Sequence, residues 1–145
     1  MKINGEKAKF LDMIRGVIGK EQEVLFAYLY GSFVYADLAG GDIDLAVYLR
    51  SADIKTCIRK EEELTFDLTI KLHTGRIDLR ILNGLPLLLQ YNILKEGILF
   101  FVRDERERVD FETKVMERFF ELKPYLDEYK QMLSLRIKGG ESQGE

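Results

Sequence analysis

The sequence predicts a single α/β (α+β) domain, in which helices flank a small mixed sheet of about four strands and a long helix follows. The length of 145 residues fits one domain. Hydrophobic residues make up 46% of the chain, enough to fill a core. Segments that alternate polar and apolar residues are interspersed with segments of helical periodicity. We therefore expect a domain over residues 1–138 and a disordered polar tail over residues 139–145.

The first third of the chain predicts a helix, a buried strand and a short helix. Apolar residues in Glu6–Ile18 recur at the spacing of one helical face. Val24–Tyr30 is an unbroken apolar run, which is typical of a strand that is covered on both faces in the centre of a sheet. Gly31 and Ser32 follow this strand, and Ser32 suits the N-cap of a short helix over Phe33–Leu38.

The middle of the chain predicts a strand, a long helix and another strand. Asp42–Leu49 alternates polar and apolar residues, which is the period of a half-buried strand. Asp53 can cap a helix that runs to about Thr74, where Gly75 would stop it. Ile77–Leu82 alternates in the same way and predicts the third strand.

The last third predicts a helix, a fourth strand and the long C-terminal helix. Pro86 suits the first turn of a helix over about Leu85–Glu96. Ile98–Val102 is the fourth apolar run and predicts a strand. Asp104 is a good cap for the long helix. Pro124 is expected to kink that helix or to begin a new one.

Composition excludes several classes of function. The 22 Lys and Arg residues against 25 Asp and Glu residues give a net charge of −3, which argues against direct binding of nucleic acid. Cys57 and His73 are the only residues of their types, so carboxylates and other oxygens would have to hold any metal. The N-terminus lacks the apolar core of a signal peptide, and no apolar run reaches the ~20 residues of a membrane span. We expect a cytoplasmic protein with no membrane contact.

Three aspartates carry the chemistry that the sequence predicts. Asp42 and Asp44 are two residues apart on one strand, so both side chains leave the same face. Asp78 has the same setting on a second strand, with apolar neighbours on either side. If the two strands are neighbours, the three carboxylates converge, and their repulsion calls for a divalent cation. Ligands that are all oxygen favour Mg²⁺ or Mn²⁺.

The Gly31–Ser32 pair predicts a phosphate site beside these aspartates. Glycine lets the backbone come close to a ligand, and the first turn of a helix offers unpaired N–H groups. A phosphate cradle next to an aspartate pair suggests a nucleoside triphosphate that is bound as its metal complex. The third aspartate, Asp78, could then activate an acceptor hydroxyl for in-line attack.

Two further side chains share the face of the aspartates. Tyr48 lies on the strand of Asp44, and we expect it to be a neighbour of the nucleotide. Arg80 follows Asp78 by two residues, and it either pairs with Asp78 or reaches a phosphate. The sequence does not choose between these two roles.

The spacing of these motifs resembles a known superfamily. Gly31-Ser32, nine intervening residues and Asp42-Ile43-Asp44 resemble the signature of DNA polymerase beta-type nucleotidyltransferases. Arg76–Phe101 and Phe111–Tyr129 are similar to the stretches that follow in the minimal nucleotidyltransferases paired with HEPN-domain proteins. The resemblance covers roughly residues 10–130.

This resemblance implies the nucleotidyltransferase fold and a specific activity. Members of the group are antitoxins that transfer AMP from ATP to a tyrosine of a HEPN ribonuclease toxin. The residues that would bind the nucleotide are Gly31, Ser32, Asp42 and Asp44, and those that would bind metal and catalyse transfer are Asp42, Asp44 and Asp78. The implied partners are ATP and the toxin, and the long C-terminal helix offers a surface for a homo- or hetero-oligomer.

One departure from the family pattern leaves alternatives open. Many members have a basic residue shortly after the Gly-Ser pair, and residues 33–37 of this chain contain none. The protein could therefore neutralise its partner by docking alone, with weak catalysis. Transfer to an aminoglycoside-like small molecule is a third reading, which is disfavoured because no C-terminal drug-binding domain follows.

Overall fold

The computed structural model describes residues 5–31 and 42–143, in which four helices, four strands and one 3₁₀ turn are seen. Ser32 and the predicted helix over Phe33–Leu38 lie outside the described residues. The elements are α1 (Gly5–Lys20), β1 (Val24–Tyr30), β2 (Ile43–Leu49), α2 (Ile54–Leu72), β3 (Ile77–Ile81), the 3₁₀ turn (Leu82–Gly84), α3 (Leu87–Glu96), β4 (Ile98–Val102) and α4 (Glu105–Gln143).

The four strands form one mixed sheet in the order β3-β2-β1-β4. β1 pairs antiparallel with both β2 and β4, whereas β2 and β3 run parallel. The predicted mixed sheet of four strands is confirmed, as is the central place of β1. The neighbouring position of the two aspartate strands, on which the predicted site depends, is confirmed as well.

Both faces of the sheet are covered by helices, which corrects one expectation. α1 and α2 pack on the first face, where the core includes Ile14, Ile18, Leu45, Leu64 and Leu68. α3 and α4 pack on the second face, where the core includes Phe26, Tyr28, Ala46, Ile93 and Phe111. The second face carries the aspartates, and the sequence pattern predicts that it points away from the core. Among the described residues, this face is accessible near Asp44 and over β3, where Asp78 and Arg80 are exposed, whereas α3 and α4 cover β2 from Ala46 onwards.

At the ends of α2, the predicted N-cap is confirmed and the predicted last residue of the helix is wrong. Asp53 is the N-cap, and its Oδ2 accepts a hydrogen bond of 3.0 Å from the backbone N–H of Thr56. The helix ends at Leu72 rather than near Thr74, because His73 adopts the left-handed conformation with φ 54°. Glycine normally supplies this conformation, which is why the sequence points to Gly75 as the end of the helix.

Pro86 starts α3 later than expected. Leu85 and Pro86 are both extended, and the helix runs over Leu87–Glu96. A proline ring disfavours helical geometry in the residue before it, which keeps Leu85 out of the helix. The preceding residues form the 3₁₀ turn instead.

The long C-terminal helix is continuous. Asp104 accepts a hydrogen bond of 3.1 Å from the backbone N–H of Glu107, as expected of a cap. α4 runs through Pro124, so no new helix begins there. It also includes residues 139–143, so the domain boundary at residue 138 stays a prediction. In the part of the chain that the structure describes, no helix has the length and apolar character of a membrane span.

The side chain of Asn83 ties the 3₁₀ turn to β2. Its amide donates to the carbonyl of Leu49 and accepts from the N–H of the same residue, both at 2.8 Å. We expect Asn83→Ala to lower the free energy of unfolding by about 2 kcal/mol, because two partly buried hydrogen bonds are lost. Urea unfolding should show this, with Asn92→Ala on the exposed side of α3 as control. An equal effect of both changes would contradict the role of Asn83.

Candidate active site

A row of three side chains crosses the open end of the sheet. Asp44 on β2 lies opposite Asp78 on the parallel strand β3. On its other side, Asp44 lies opposite Tyr30 on the antiparallel strand β1. Opposed residues share a face of the sheet, so Asp78, Asp44 and Tyr30 stand side by side. Asp42 is exposed and comes just before β2.

The two opposed carboxylates are close enough for their charges to repel each other. The pKa of Asp44 is raised, first by burial, then by the charges of Asp78 and Asp42 and by a side-chain hydrogen bond to Asp78. A cation bound beside these carboxylates would offset their repulsion, which is the electrostatic property of a metal site.

The predicted set of three carboxylates is assembled only in part. Within residues 5–31 and 42–143, no group of three or more His, Cys, Asp and Glu side chains is close enough to hold a metal ion. Asp44 and Asp78 are adjacent, and Asp42 is close enough to act on Asp44 through its charge. The assignment of these three aspartates as metal ligands stays a prediction.

Gly31 stands against the carboxylate of Asp44. Its φ is +78°, in the left-handed region that disfavours other residues. A Cβ added at this position would overlap Oδ2 of Asp44 and would lie 3.1 Å from its Cγ. Glycine is therefore required here both for the backbone turn after β1 and for the space that Asp44 occupies.

Arg80 pairs with Asp78. Its Nε lies 3.6 Å from Oδ2 of Asp78, and each side chain is about half exposed, at 47% and 48%. Between the two roles that the sequence left open, the structure shows the pairing with Asp78. The guanidinium charge also acts on Asp44, where it opposes the rise in pKa.

The comparisons with known proteins assign the chain to a family. Residues 12–106 match the Polymerase beta nucleotidyltransferase family. The chain belongs to this family. Comparison with curated protein sequences finds no match.

Solved structures that resemble this nucleotidyltransferase include toxin–antitoxin complexes. One is the complex of tri-AMPylated Shewanella oneidensis HEPN toxin with MNT antitoxin (TM-score 0.66, 18% identity, covering 88% of this chain and 98% of that chain). A second is the toxin–antitoxin MntA–HepT (TM-score 0.66, 17% identity, 88% and 98%). A third is the toxin–antitoxin with AMP-PNP (TM-score 0.68, 18% identity, 86% and 98%). At these identities the likeness shows the shared fold.

The family signature falls on the open end of the sheet. Gly31 directly follows β1, Asp42 directly precedes β2 and Asp44 is the second residue of β2, so the two halves of the signature meet where these adjacent strands pair. Asp78 joins them from β3. Ser32, the remaining residue of the signature, is outside the described residues. The arrangement suits a nucleotidyltransferase, because the glycine and the carboxylates lie at the same end of the sheet.

Two neighbours of this nucleotidyltransferase site were missed in the sequence. The pKa of the Tyr30 hydroxyl is raised to about 12, first by burial, and Asp44 and Asp78 add to the rise. Glu61 on α2 also has a raised pKa, first through burial and then through Asp78. A signal for Tyr30 was its place directly before Gly31, whereas nothing in the helical pattern around Glu61 indicated its position.

Tyr48 is a packing residue, which corrects the expectation that it neighbours the nucleotide. Its ring is stacked on Phe26, with centroids 4.6 Å apart, and lies 4.9 Å from the ring of Phe111. It is four residues along β2 from Asp44, or about 13 Å at the rise of a strand. The alternating pattern gave the correct face for Tyr48, but α4 covers that part of the face.

Proposed function

We propose that this nucleotidyltransferase transfers AMP from ATP to a tyrosine of a HEPN-family ribonuclease toxin and is the antitoxin of that toxin. The observation that carries the proposal is that Gly31, Asp44 and Asp78 lie together at one end of the sheet in a chain of the Polymerase beta family. The fold is shared with toxin–antitoxin complexes, one of which contains a tri-AMPylated HEPN toxin and another AMP-PNP. The proposed site of action is the cytoplasm.

The donor set fits a hard divalent cation. Asp44 and Asp78 are opposed carboxylates that repel each other, and Asp42 adds a third carboxylate whose charge acts on Asp44. These three residues would hold Mg²⁺ or Mn²⁺, because their ligand atoms are all oxygen. When bound, the cation would neutralise phosphate charge and make the acceptor hydroxyl more acidic.

Residues of the chain would bind the triphosphate, accept the proton of the acceptor and balance charge in the site. Gly31 gives the triphosphate close access to the backbone, and Ser32 is proposed as an additional hydrogen-bond donor to it. Asp78, on the β3 side of Asp44, would accept the proton of the tyrosine hydroxyl as the hydroxyl attacks the α-phosphate and pyrophosphate leaves. Arg80 offsets the negative charge of Asp78 until the substrate is bound.

The test is label transfer from ATP to the partner. The protein is incubated with Mg²⁺, with ATP labelled in the α-phosphate and with its cognate HEPN protein, and the toxin is analysed for labelled tyrosine. We expect label on the toxin and a loss of ribonuclease activity. Mn²⁺ in place of Mg²⁺ decides the preferred cation. An unlabelled toxin, with a protein that binds ATP, would contradict the proposal.

A double variant distinguishes neutralisation by AMP transfer from neutralisation by docking alone. Asp42→Asn/Asp44→Asn removes two of the carboxylates and leaves the helical surfaces intact. If the proposal is correct, the variant cannot protect cells from the toxin. Protection by the double variant equal to that of the wild-type protein would assign the antitoxin activity to docking.

A further inference from the structure

We propose that the groove between the first half of α2 and the outer edge of β3 docks the segment of the partner protein that carries the accepting hydroxyl. This inference rests on the proposed function and adds where the protein acceptor binds. The groove joins Asp78 to the exposed apolar side chains of Ile54 and Ile58. It is called the acceptor groove below.

The acceptor groove is continuous with the candidate active site. Its volume is about 570 Å³, which accommodates a short segment of chain but not a folded domain. Asp78 and Arg80 line one side of the groove, and Ile54 and Ile58 line the other. Asn83 and Gly84 of the 3₁₀ turn and Leu85 after it also line the groove. A ligand in the groove therefore contacts the same carboxylate that stands opposite Asp44.

The direction in which the acceptor hydroxyl must attack the α-phosphate favours the β3 side of Asp44. In an in-line displacement the acceptor approaches the α-phosphate from the side opposite the leaving pyrophosphate. Gly31, where the triphosphate is proposed to bind, lies on the β1 side of Asp44. Asp78 lies on the β3 side. The acceptor should therefore arrive over β3, which is the edge strand where the acceptor groove opens.

The chemistry of the groove fits a peptide segment. Ile54 and Ile58 are 74% and 55% exposed, so they offer an apolar wall to a partner. Glu61 and Asp78 bring two carboxylates to the groove against the one guanidinium of Arg80. The occupant that matches this surface is a segment with an apolar side chain and a basic side chain near its tyrosine.

A matched pair of variants on one helix tests the inference. Ile58→Asp places a charge in the acceptor groove. Ile70→Asp is the control, because Ile70 is 58% exposed on the same helix but lines a different groove, between α1 and α2. Both positions are exposed, so neither change removes a core contact. For each variant, kcat/KM for the toxin and Kd for ATP are measured, with circular dichroism as a check of folding.

The two variants are expected to differ in kcat/KM for the toxin and not in Kd for ATP. Ile58→Asp should lower kcat/KM for the toxin at least about 10-fold, as expected for loss of an apolar contact at a docking site. It should leave the Kd for ATP unchanged, and Ile70→Asp should behave as the wild-type protein does in both assays. Equal transfer by the two variants would overturn the inference. Weaker ATP binding by Ile58→Asp would also overturn it, because the groove would then hold the nucleotide.

The thiol of Cys57 gives a second measurement that needs no catalysis. Cys57 is the only cysteine of the chain, it is partly buried, and it lines the acceptor groove. In an Asp44→Asn protein, in which transfer is expected to be much slower, the toxin should slow the alkylation of Cys57 by a maleimide several-fold. An unchanged alkylation rate with bound toxin would overturn the inference. This result is independent of label transfer, so it separates a wrong groove from a wrong function.

Discussion

Asp44→Asn is expected to lower AMP transfer at least about 1,000-fold and, in the absence of metal, to make the protein more stable. The loss of transfer follows from the position of Asp44, which lies against Gly31 and opposite Asp78 on the neighbouring strand. Removal of one charged group that acts on a transferring phosphate typically costs about two to three orders of magnitude or more. The amide keeps the shape of the side chain but removes the charge.

The gain in stability follows from the repulsion within the carboxylate pair. Like charges opposite each other on neighbouring strands destabilise a sheet by roughly 0.2–1 kcal/mol, so Asp44→Asn should raise the free energy of unfolding by that order. The raised pKa of Asp44 determines whether the stability of the fold rises or falls with pH. The folded protein holds this proton more tightly than the unfolded chain does, so stability falls as the pH rises above the ordinary pKa of 3.8. The variant should lack this part of the decline.

Urea unfolding without metal, at a series of pH values, measures the change in stability. Asp67→Asn is the matched control, because it removes the same charge from an exposed position on α2. With Mg²⁺ added, the wild-type protein should gain stability and Asp44→Asn should gain little. A variant that is less stable than the wild-type protein without metal would contradict the repulsion between Asp44 and Asp78.

The sequence predicted the strands well because their pattern depends on local burial. β1 and β4 have the predicted bounds, and β1 is central as its unbroken apolar run indicated. The pairing of Asp44 with Asp78 followed once β2 and β3 were neighbours, since both aspartates lie near the start of their strands. The approach of Gly31 to Asp44 likewise follows from the pairing of β1 with β2.

Other features depended on contacts between distant elements. The alternation of β2 places Tyr48 on the aspartate face, but it cannot show that Phe111 of α4 covers that end of the face. Glu61 reaches the site only because α2 packs beside β3. The left-handed conformation of His73 is unusual for a residue with a side chain, so a rule based on glycine pointed to Gly75.

Gly31→Ala is expected to lower AMP transfer at least about 100-fold, through displacement of Asp44. The new Cβ would overlap Oδ2 of Asp44, so the carboxylate would have to rotate away from its place opposite Asp78. A displacement of about 1 Å in a catalytic group can cost about 100-fold in rate. The positive φ of Gly31 adds a strain of about 1–2 kcal/mol for alanine, which should appear as a loss of stability.

Gly75→Ala is the control for this change, because a Cβ at Gly75 meets nothing within 4 Å and no positive φ is required there. Gly31→Asn separates the two effects of the alanine. Asparagine tolerates a positive φ better than alanine does, yet its Cβ overlaps Asp44 in the same way. If displacement of Asp44 is the cause, Gly31→Asn should recover stability relative to Gly31→Ala and still transfer AMP poorly. If Gly31→Asn recovered both AMP transfer and stability, the loss of transfer in Gly31→Ala would instead be due to backbone strain after β1.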